Sequence, residues 1–227
     1  ENVIDAFRHF QQTEKIARII NDDTLLNIGL TYEGDMLRRK GDVEGGLQYL
    51  LEARDHTPHA DKEARGNSLQ LLARGSLNSR DIYSFENAMA EAEELSADPA
   101  LFTGSTHGFY SLGAVYEEYG KSYGWSGQKE KALRYLDLAD EQLPKTVHWE
   151  IVLNTARAMT LVRGGEISEG ARLTVNATLH CQQTGNFRML ERVYSIQNYL
   201  ESLTQDIGSA KALVRDALLN GPIEYLG

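Results

Sequence analysis

The sequence is poor in residues that cross-link, stiffen or anchor a chain. Cys181 is the single cysteine among 227 residues, so no intrachain disulfide can form, and this usage suits a reducing compartment. There are only four prolines, which favours long helices. No apolar run approaches the roughly 20 residues that a membrane-spanning helix needs. These shortages predict a cytoplasmic, mainly helical protein that does not contact a membrane.

Basic residues are also scarce. Lys and Arg number 23 against 33 Asp and Glu, which gives a formal net charge of −10. A surface of this sign repels polyphosphate, so we expect no direct nucleic-acid contact from this segment. The sequence begins at Glu1 without Met and without a basic-then-apolar leader. We therefore expect it to be an excised or processed part of a longer protein.

A stretch near the start of the chain, Leu30–Pro58, recurs near the middle as Phe109–Pro144. In both copies a glycine is followed seven residues later by a second glycine, and then by a small residue, Leu, Ala and Pro. The residues are Gly34, Gly41, Gly46, Leu50, Ala53 and Pro58 in the first copy, and Gly113, Gly120, Ala132, Leu136, Ala139 and Pro144 in the second. Aligned in this way, the second copy holds seven extra residues, Lys121–Gly127. Internal repetition of this length indicates a repeat architecture.

Apolar residues recur with a helical period along the whole chain, and turn residues divide the pattern into about eleven helices without a strand. This predicts a single repeat domain over residues 1–227, closed by helices at Phe187–Leu203 and Ile207–Leu219. Its parts are an N-terminal helix or partial repeat at 1–22 and helix pairs at 23–60, 61–99, 100–145, 146–185 and 186–227. Gly34 and Gly46 fall inside helices, where each costs about 1 kcal/mol relative to Ala. We therefore expect two helix backbones to approach closely there.

The two copies resemble tetratricopeptide repeats. The residues that carry the resemblance are Leu30, Gly34, Leu37, Gly46, Leu50, Ala53 and Pro58, and Phe109, Leu112, Gly113, Tyr116, Ala132, Leu136, Ala139 and Pro144. Both copies lack the tryptophan of the first signature site. The resemblance implies an all-α, tetratricopeptide-like α-solenoid of antiparallel helix hairpins in a right-handed superhelix. The first helix of each pair would line its concave groove, and neighbouring hairpins would stack because one hairpin cannot bury its apolar face alone.

A stretch near the C-terminus carries a second resemblance. Residues His180–Asn186 and Arg192–Ile196 are similar to the last repeats of sensor domains that follow a helix-turn-helix in bacterial transcription regulators, including peptide-pheromone receptors. This implies a ligand-sensing domain that binds a short peptide and relays the signal to a DNA-binding domain. The alternative is a general protein–protein interaction scaffold with no transcriptional role.

Polar residues that lie off the apolar stripe of the first helices are predicted to face the groove and bind a peptide or protein ligand. Asn and Gln both donate and accept hydrogen bonds, which suits an extended peptide backbone, and Arg can bind a carboxylate. The alternative for each residue is a solvated helix face. The predicted ligand-groove residues are Thr31, Asp35, Arg38, Asn67, Gln70, Arg74, His107, Tyr110, Glu117, Asn154, Glu191 and Asn198.

Aromatic residues are concentrated around the extra segment Lys121–Gly127. Tyr116 is predicted to be in the core. Tyr119, Tyr123 and Trp125 are predicted to form an exposed interaction surface, used either by a ligand or in self-association into a homodimer.

One cluster has spacing that could chelate a metal ion, formed by Asp55, His56, His59 and Asp61. It spans the predicted turn at Pro58, where polar residues are expected without any metal. No acid, base and nucleophile converge elsewhere in the pattern. We therefore predict a non-catalytic protein with no metal site and no cofactor.

Overall fold

A computed structural model describes residues 2–97 and 110–220 of the chain. Within these ranges the secondary structure is helical, without strands, as the sequence predicts. The α-helices are α1 (Asn2–Ile20), α2 (Asp23–Arg39), α3 (Val43–His56), α4 (Lys62–Asn78), α5 (Ile82–Ser96), α6 (Leu112–Trp125), α7 (Lys129–Gln142), α8 (Val147–Arg163), α9 (Ile167–Thr184) and α10 (Leu190–Asn220). A short 3-10 helix, Phe187–Met189, precedes α10.

The helices pack in adjacent pairs within two compact units, Glu1–Pro144 and Lys145–Gly227. In the first unit, α2 packs with α3, α4 with α5 and α6 with α7, while α1 lies against α2. Helix α4 also contacts α2, α3 and α6. In the second unit, α8 packs with α9, and α10 contacts both. Adjacent helix pairs are therefore present in each unit, at four of the five predicted ranges.

Four pairs share one turn geometry. A residue with positive φ follows the first helix of each pair, at Gly41, Arg80, Gly127 and Gly165. The next residue donates its backbone N–H to the carbonyl oxygen five residues earlier, as the 2.9–3.1 Å bonds in these turns record. This arrangement is the Schellman motif, which satisfies carbonyl groups at the end of a helix.

Counted from the turn residue, the same positions are buried in every pair. A small residue lies seven positions before it and an alanine lies twelve positions after it, and the structure buries all eight. The small residues are Gly34, Ala73, Gly120 and Ala158, and the alanines are Ala53, Ala92, Ala139 and Ala177. One packing register therefore recurs through α2–α9, including the two pairs in which the sequence repeat is faint.

This register corrects the alignment of the two sequence copies. Residues Lys121–Trp125 continue α6, and Gly127 supplies the turn, so the expected seven-residue insertion is absent. Gly120 is the counterpart of Gly34, and the expected match of Gly34 with Gly113 was wrong. The error arose because seven residues span about two helical turns, so a shift of that size returns nearly the same face of the helix.

The predicted close approach of helix backbones at Gly34 and Gly46 is confirmed. A β-carbon built on Gly34 would lie 2.8 Å from the carbonyl oxygen of Gly46, and one built on Gly46 would lie 2.7 Å from that of Gly34. Gly120 repeats the arrangement, since its β-carbon would lie 3.1 Å from the carbonyl oxygen of Ala132. In the hairpins α2–α3 and α6–α7, a side chain larger than the one present would clash where the two helices cross.

The C-terminal end differs from the predicted pair of helices. Helix α10 runs unbroken from Leu190 to Asn220, so Phe187–Leu203 and Ile207–Leu219 do not form two helices. No proline lies between them to end a helix, and Gly208 inside α10 costs only about 1 kcal/mol. The described ranges therefore hold ten α-helices rather than about eleven.

We expect Gly34→Ala to destabilise the protein by about 1–3 kcal/mol, the usual cost of overpacking. Alanine favours a helix by about 1 kcal/mol over glycine, but the new methyl group would meet a backbone oxygen that cannot rotate away. Gly208→Ala is the matched control, because nothing lies within 4 Å of its β-carbon position and we expect it to stabilise α10 slightly. Urea unfolding followed by circular dichroism measures the free energy of unfolding of both variants. Equal changes in the two variants would contradict the close backbone contact at Gly34.

Candidate functional site

A cleft of about 690 Å³ lies in the first unit, where the C-terminal ends of α2, α4 and α6 meet. This volume is within the range of about 300–1,000 Å³ that is usual for ligand pockets. Four cationic side chains line it, those of Arg38, Arg74, Arg80 and Lys121, together with the single carboxylate of Glu118. The lining is therefore positive, in a protein whose formal net charge is −10.

Glu118 is fully buried at the base of the cleft and joins two of these cations. Arg74 Nε donates to Glu118 Oε1 at 2.7 Å, and Arg74 Nη2 contacts Oε2. Lys121 Nζ donates to Oε2 at 2.5 Å, and Ser122 Oγ donates to Oε1 at 3.3 Å. Helices α4 and α6 are thereby connected through one carboxylate.

The charges of this group reinforce one another. Burial alone raises the pKa of Glu118, but the charges of Arg74 and Lys121 outweigh it and hold the pKa well below its usual range. Burial likewise opposes the charge of Arg74, and the Glu118 carboxylate more than offsets it, so that the pKa of Arg74 is raised. The Glu118 carboxylate and the Arg74 guanidinium are therefore both charged at neutral pH. The hydrogen bonds between them fix the orientation of both groups at the cleft.

Arg38 is oriented by a second carboxylate on its own helix. Its Nε and Nη2 donate to Asp35 Oδ1 at 3.0 and 2.6 Å, and its Nη1 donates to Asn78 Oδ1 on α4 at 3.0 Å. Arg39 Nε donates to the other oxygen of Asp35 at 2.6 Å. Arg38 therefore reaches the cleft as part of a network that joins α2 to α4.

Arg80 differs from the other cations of the cleft. It is exposed, it occupies the positive-φ turn position between α4 and α5, and within residues 2–97 and 110–220 its guanidinium forms no ion pair. A non-glycine residue at positive φ costs about 1–2 kcal/mol, and Arg80 is the only non-glycine at the four equivalent turn positions. Its charge is available to a ligand.

The remaining lining of the cleft is partly apolar. Trp125 at the end of α6 is 42% exposed and Ile82 at the start of α5 is 36% exposed, while Leu77 is partly buried. All three lie beside the cationic groups. The cleft can therefore accept a ligand that carries both an anionic group and an apolar one.

Three of the predicted contact residues meet in this cleft, namely Arg38, Arg74 and Trp125. Asn67 and Gln70 are partly exposed on α4 but do not line it. The other predicted positions are distributed elsewhere. Asn154 is partly buried in α8, Glu191 and Asn198 are exposed on α10, and these three belong to the second unit, whereas His107 lies outside the described residues.

Four predicted groove residues are buried instead, namely Thr31, Asp35, Tyr110 and Glu117. The Thr31 hydroxyl donates to Asn27 Oδ1 at 3.4 Å, and the Tyr110 hydroxyl donates to the carbonyl oxygen of Ala92. The reason is that first helices pack against more than their hairpin partner. Helix α4, for example, contacts α2, α3, α5 and α6, so side chains off the hairpin stripe meet another helix.

Tyr119 and Tyr123 are also buried, so their predicted exposure was wrong. The rings of Tyr119 and Tyr135 stack with centroids 4.4 Å apart, and Tyr123 meets Phe85 edge-on at 5.4 Å. The predicted core position of Tyr116 is half-buried, at the edge of this cluster. The predicted exposure depended on an insertion loop that does not exist, and these tyrosines belong to the continuous helix α6.

The sequence interpretation missed Glu118, Lys121, Arg80 and Ile82. The turn register could have found Lys121, because it lies six positions before Gly127, just as Arg74 lies six positions before Arg80. The shifted alignment hid that equivalence. No comparable signal marks Glu118, whose partners come from both its own helix and a neighbouring one.

The residues at the Pro58 turn have structural partners. Arg54 Nε donates to Asp55 at 2.7 Å, and the backbone N–H of His59 donates to Asp23 at 3.1 Å. Over the parts of the chain that the structure describes, no three His, Cys, Asp or Glu side chains are arranged to hold a metal ion.

Comparison with protein-family models, with curated proteins and with solved structures gave no match. In the described parts of the chain, every helix is too short or too polar to cross a lipid bilayer.

Removing Glu118 should destabilise the first unit strongly. We expect Glu118→Ala to cost about 3 kcal/mol, the lower end for breaking a buried ion pair, because Arg74 retains some solvent contact. Glu169→Ala is the control, since its pair with Arg172 is exposed and should matter little. Chemical unfolding measures both variants, and similar effects would contradict a buried charge group.

The buried pair of Glu118 and Arg74 also predicts how the stability of the first unit changes with pH. Because the pKa of Glu118 is lower in the folded than in the unfolded protein, its stabilisation is complete above about pH 4.5 and is lost as the pH falls further. Glu118→Gln mimics the protonated acid. The difference in unfolding free energy between the native protein and this variant should therefore shrink below about pH 4.5, and a constant difference would be the contrary result.

Proposed function

We propose that this protein is a non-catalytic peptide- or protein-binding domain and that its ligand binds in the cleft between α2, α4 and α6. The observation that carries the proposal is the cleft itself, a positive pocket with apolar walls in an acidic protein. It is formed mainly by the first helices of three successive pairs, as expected for the groove of a helical repeat domain.

The chemistry of the lining favours a ligand segment with a carboxylate beside an apolar side chain. Arg80 presents a planar guanidinium group, which can bind a carboxylate with two parallel hydrogen bonds, and Arg38 adds positive charge beside it. Ile82 and Trp125 offer apolar surface within the same cleft. Glu118 already compensates much of the charge of Arg74 and Lys121, so Arg80 is the principal free cation for an incoming anion.

We propose that the helix pairs form a tetratricopeptide-like α-solenoid. The shared turn geometry of four pairs and the contacts of α4 with both α2 and α6 support stacking in the first unit. The pairs are longer than the standard unit, because the turn residues at positions 41, 80, 127 and 165 are separated by more than about 34 residues.

We further propose a role as the cytoplasmic ligand-sensing part of a bacterial transcription regulator. The support is the resemblance at His180–Asn186 and Arg192–Ile196. A ligand that binds one arrangement of the helix pairs more tightly would shift the population toward it and so reorient a fused domain. The alternative is a scaffold for protein partners. A helix-turn-helix encoded upstream of Glu1 in the gene favours the regulator, and a reading frame without one favours the scaffold.

Arg80→Gly tests the site without disturbing the fold, because glycine suits the positive φ of this turn. The probe is a fluorescent library of random pentapeptides, each with a free or an amidated C-terminus, from which the tightest binder is selected. We expect Arg80→Gly to raise Kd of that peptide about tenfold, the effect of losing one charge-assisted hydrogen bond. Fluorescence anisotropy measures the change.

Lys211→Ala is the control, because it removes the same charge from an exposed position on α10. We expect it to leave Kd unchanged. Equal affinities of the native protein and Arg80→Gly would show that the peptide binds another face. A library with no binder, together with dimer formation that Trp125→Ala abolishes in analytical ultracentrifugation, would indicate that this surface serves self-association instead.

A further inference from the structure

Glu33 is a buried acid with no donor group beside it. It lies in the second half of α2, its side chain is 0% exposed, and neither of its oxygens accepts a hydrogen bond when the carboxylate is ionised. An ionised carboxylate in such a place costs far more free energy than a protonated one, because it loses its hydration without compensation. The folded first unit therefore favours a proton on Glu33.

The groups that face Glu33 from the neighbouring helices are Glu14, Lys15 and Arg18 on α1, and Tyr49 and Glu52 on α3. The carboxyl groups of Glu14 and Glu52 make ionisation of Glu33 more costly still, and the charge of Lys15 opposes them only in part. Arg18 is already engaged, since its Nε donates to Glu14 at 2.9 Å and its Nη2 donates to Glu52 at 2.5 Å. Glu14 and Glu52 thus share Arg18, and Glu33, the third carboxyl group of the cluster, has no hydrogen bond from it.

Helix α1 covers Glu33 but buries few of its own side chains. Of residues 5–20, Ala17 alone is buried, and Ile19 is 82% exposed. Phe10 stacks on Tyr32 of α2 with ring centroids 4.9 Å apart, and the backbone of Glu14 would lie 3.1 Å from a β-carbon on Gly29. A helix with so few buried side chains loses little apolar burial when it leaves the unit.

We propose that α1 stays docked on α2 and α3 while Glu33 is protonated, and that ionisation of Glu33 releases it. The first unit would then carry a helix whose attachment responds to pH near neutrality. Release lets water reach the Glu33 carboxylate and separates it from Glu14. This inference does not depend on ligand binding in the cleft.

The direction of the effect follows from the electrostatics. Burial first, then a hydrogen bond that the protonated acid shares with Glu14, and then the charges of Glu14 and Glu52 raise the pKa of Glu33 to about 7, against a smaller opposing effect of Lys15. The undocked state has the ordinary value of about 4.5. Docking is therefore most stable below pH 4.5 and weakens as the pH rises to about 7, where the loss is complete.

Hydrogen exchange of the whole chain, read by mass spectrometry, tests the proposal. We expect protection of residues 5–20, corrected for the intrinsic pH dependence of exchange, to fall on the order of tenfold between pH 5.5 and pH 8.5. Protection of α4 should change little over the same range. A carboxyl-carbon NMR titration should give Glu33 a midpoint well above the ordinary 4.5 and no higher than about 7, because release of α1 couples to ionisation.

Two variants at Glu33 and one control make the test decisive. Glu33→Gln mimics the protonated acid and Glu33→Leu removes the polar group, so protection of α1 should become nearly independent of pH in both. Glu44→Gln, at an exposed position of α3, should keep the pH dependence of the native protein. The proposal is overturned if native protection of α1 does not change with pH, or if it changes as much in Glu33→Leu.

Discussion

The backbone contact between the two helices of a hairpin is the constraint on which this fold depends. Where Gly34 of α2 meets Gly46 of α3, the two helices come so close that even a β-carbon would meet a carbonyl oxygen of the other. The positive-φ turn sets the distance along the chain from the end of α2 to this crossing. A similar crossing recurs at Gly120 of α6 and at Gly170 of α9, so the turn and the crossing together fix the register of these three pairs.

The cleft is a consequence of that register. Arg74 and Lys121 occupy equivalent positions before their turns, so neighbouring hairpins bring two cations to the same place. Glu118 stabilises them there, since two positive groups at such proximity would otherwise repel each other in a poorly hydrated site. The turn residue itself lines the cleft in one pair only. Where three pairs have glycine, the second has Arg80, and the strain of that choice is consistent with a residue retained for its charge.

The sequence alone predicted the hairpins, most helix boundaries and the contact between Gly34 and Gly46, because these depend on local periodicity and turn residues. It failed where a shift of two helical turns gave a second, equally plausible alignment, and the supposed insertion at Lys121–Gly127 followed from that shift. It also failed where burial depends on a third helix. Thr31 and Asp35 lie off the hairpin stripe, and only the positions of neighbouring helices show that they are covered.

Glu33 and Glu118 show how environment divides one residue type into two roles. Both are fully buried on first helices of the same unit. Glu118 has two cations and stays ionised, whereas Glu33 lies beside carboxyl groups and keeps its proton to a higher pH than an ordinary carboxyl group does. Their effects on stability have opposite signs, because acid weakens the Glu118 group while base weakens the docking of α1. The stability of the first unit should therefore fall in acid, through Glu118. The docking of α1 should weaken as the pH rises toward neutrality, through Glu33.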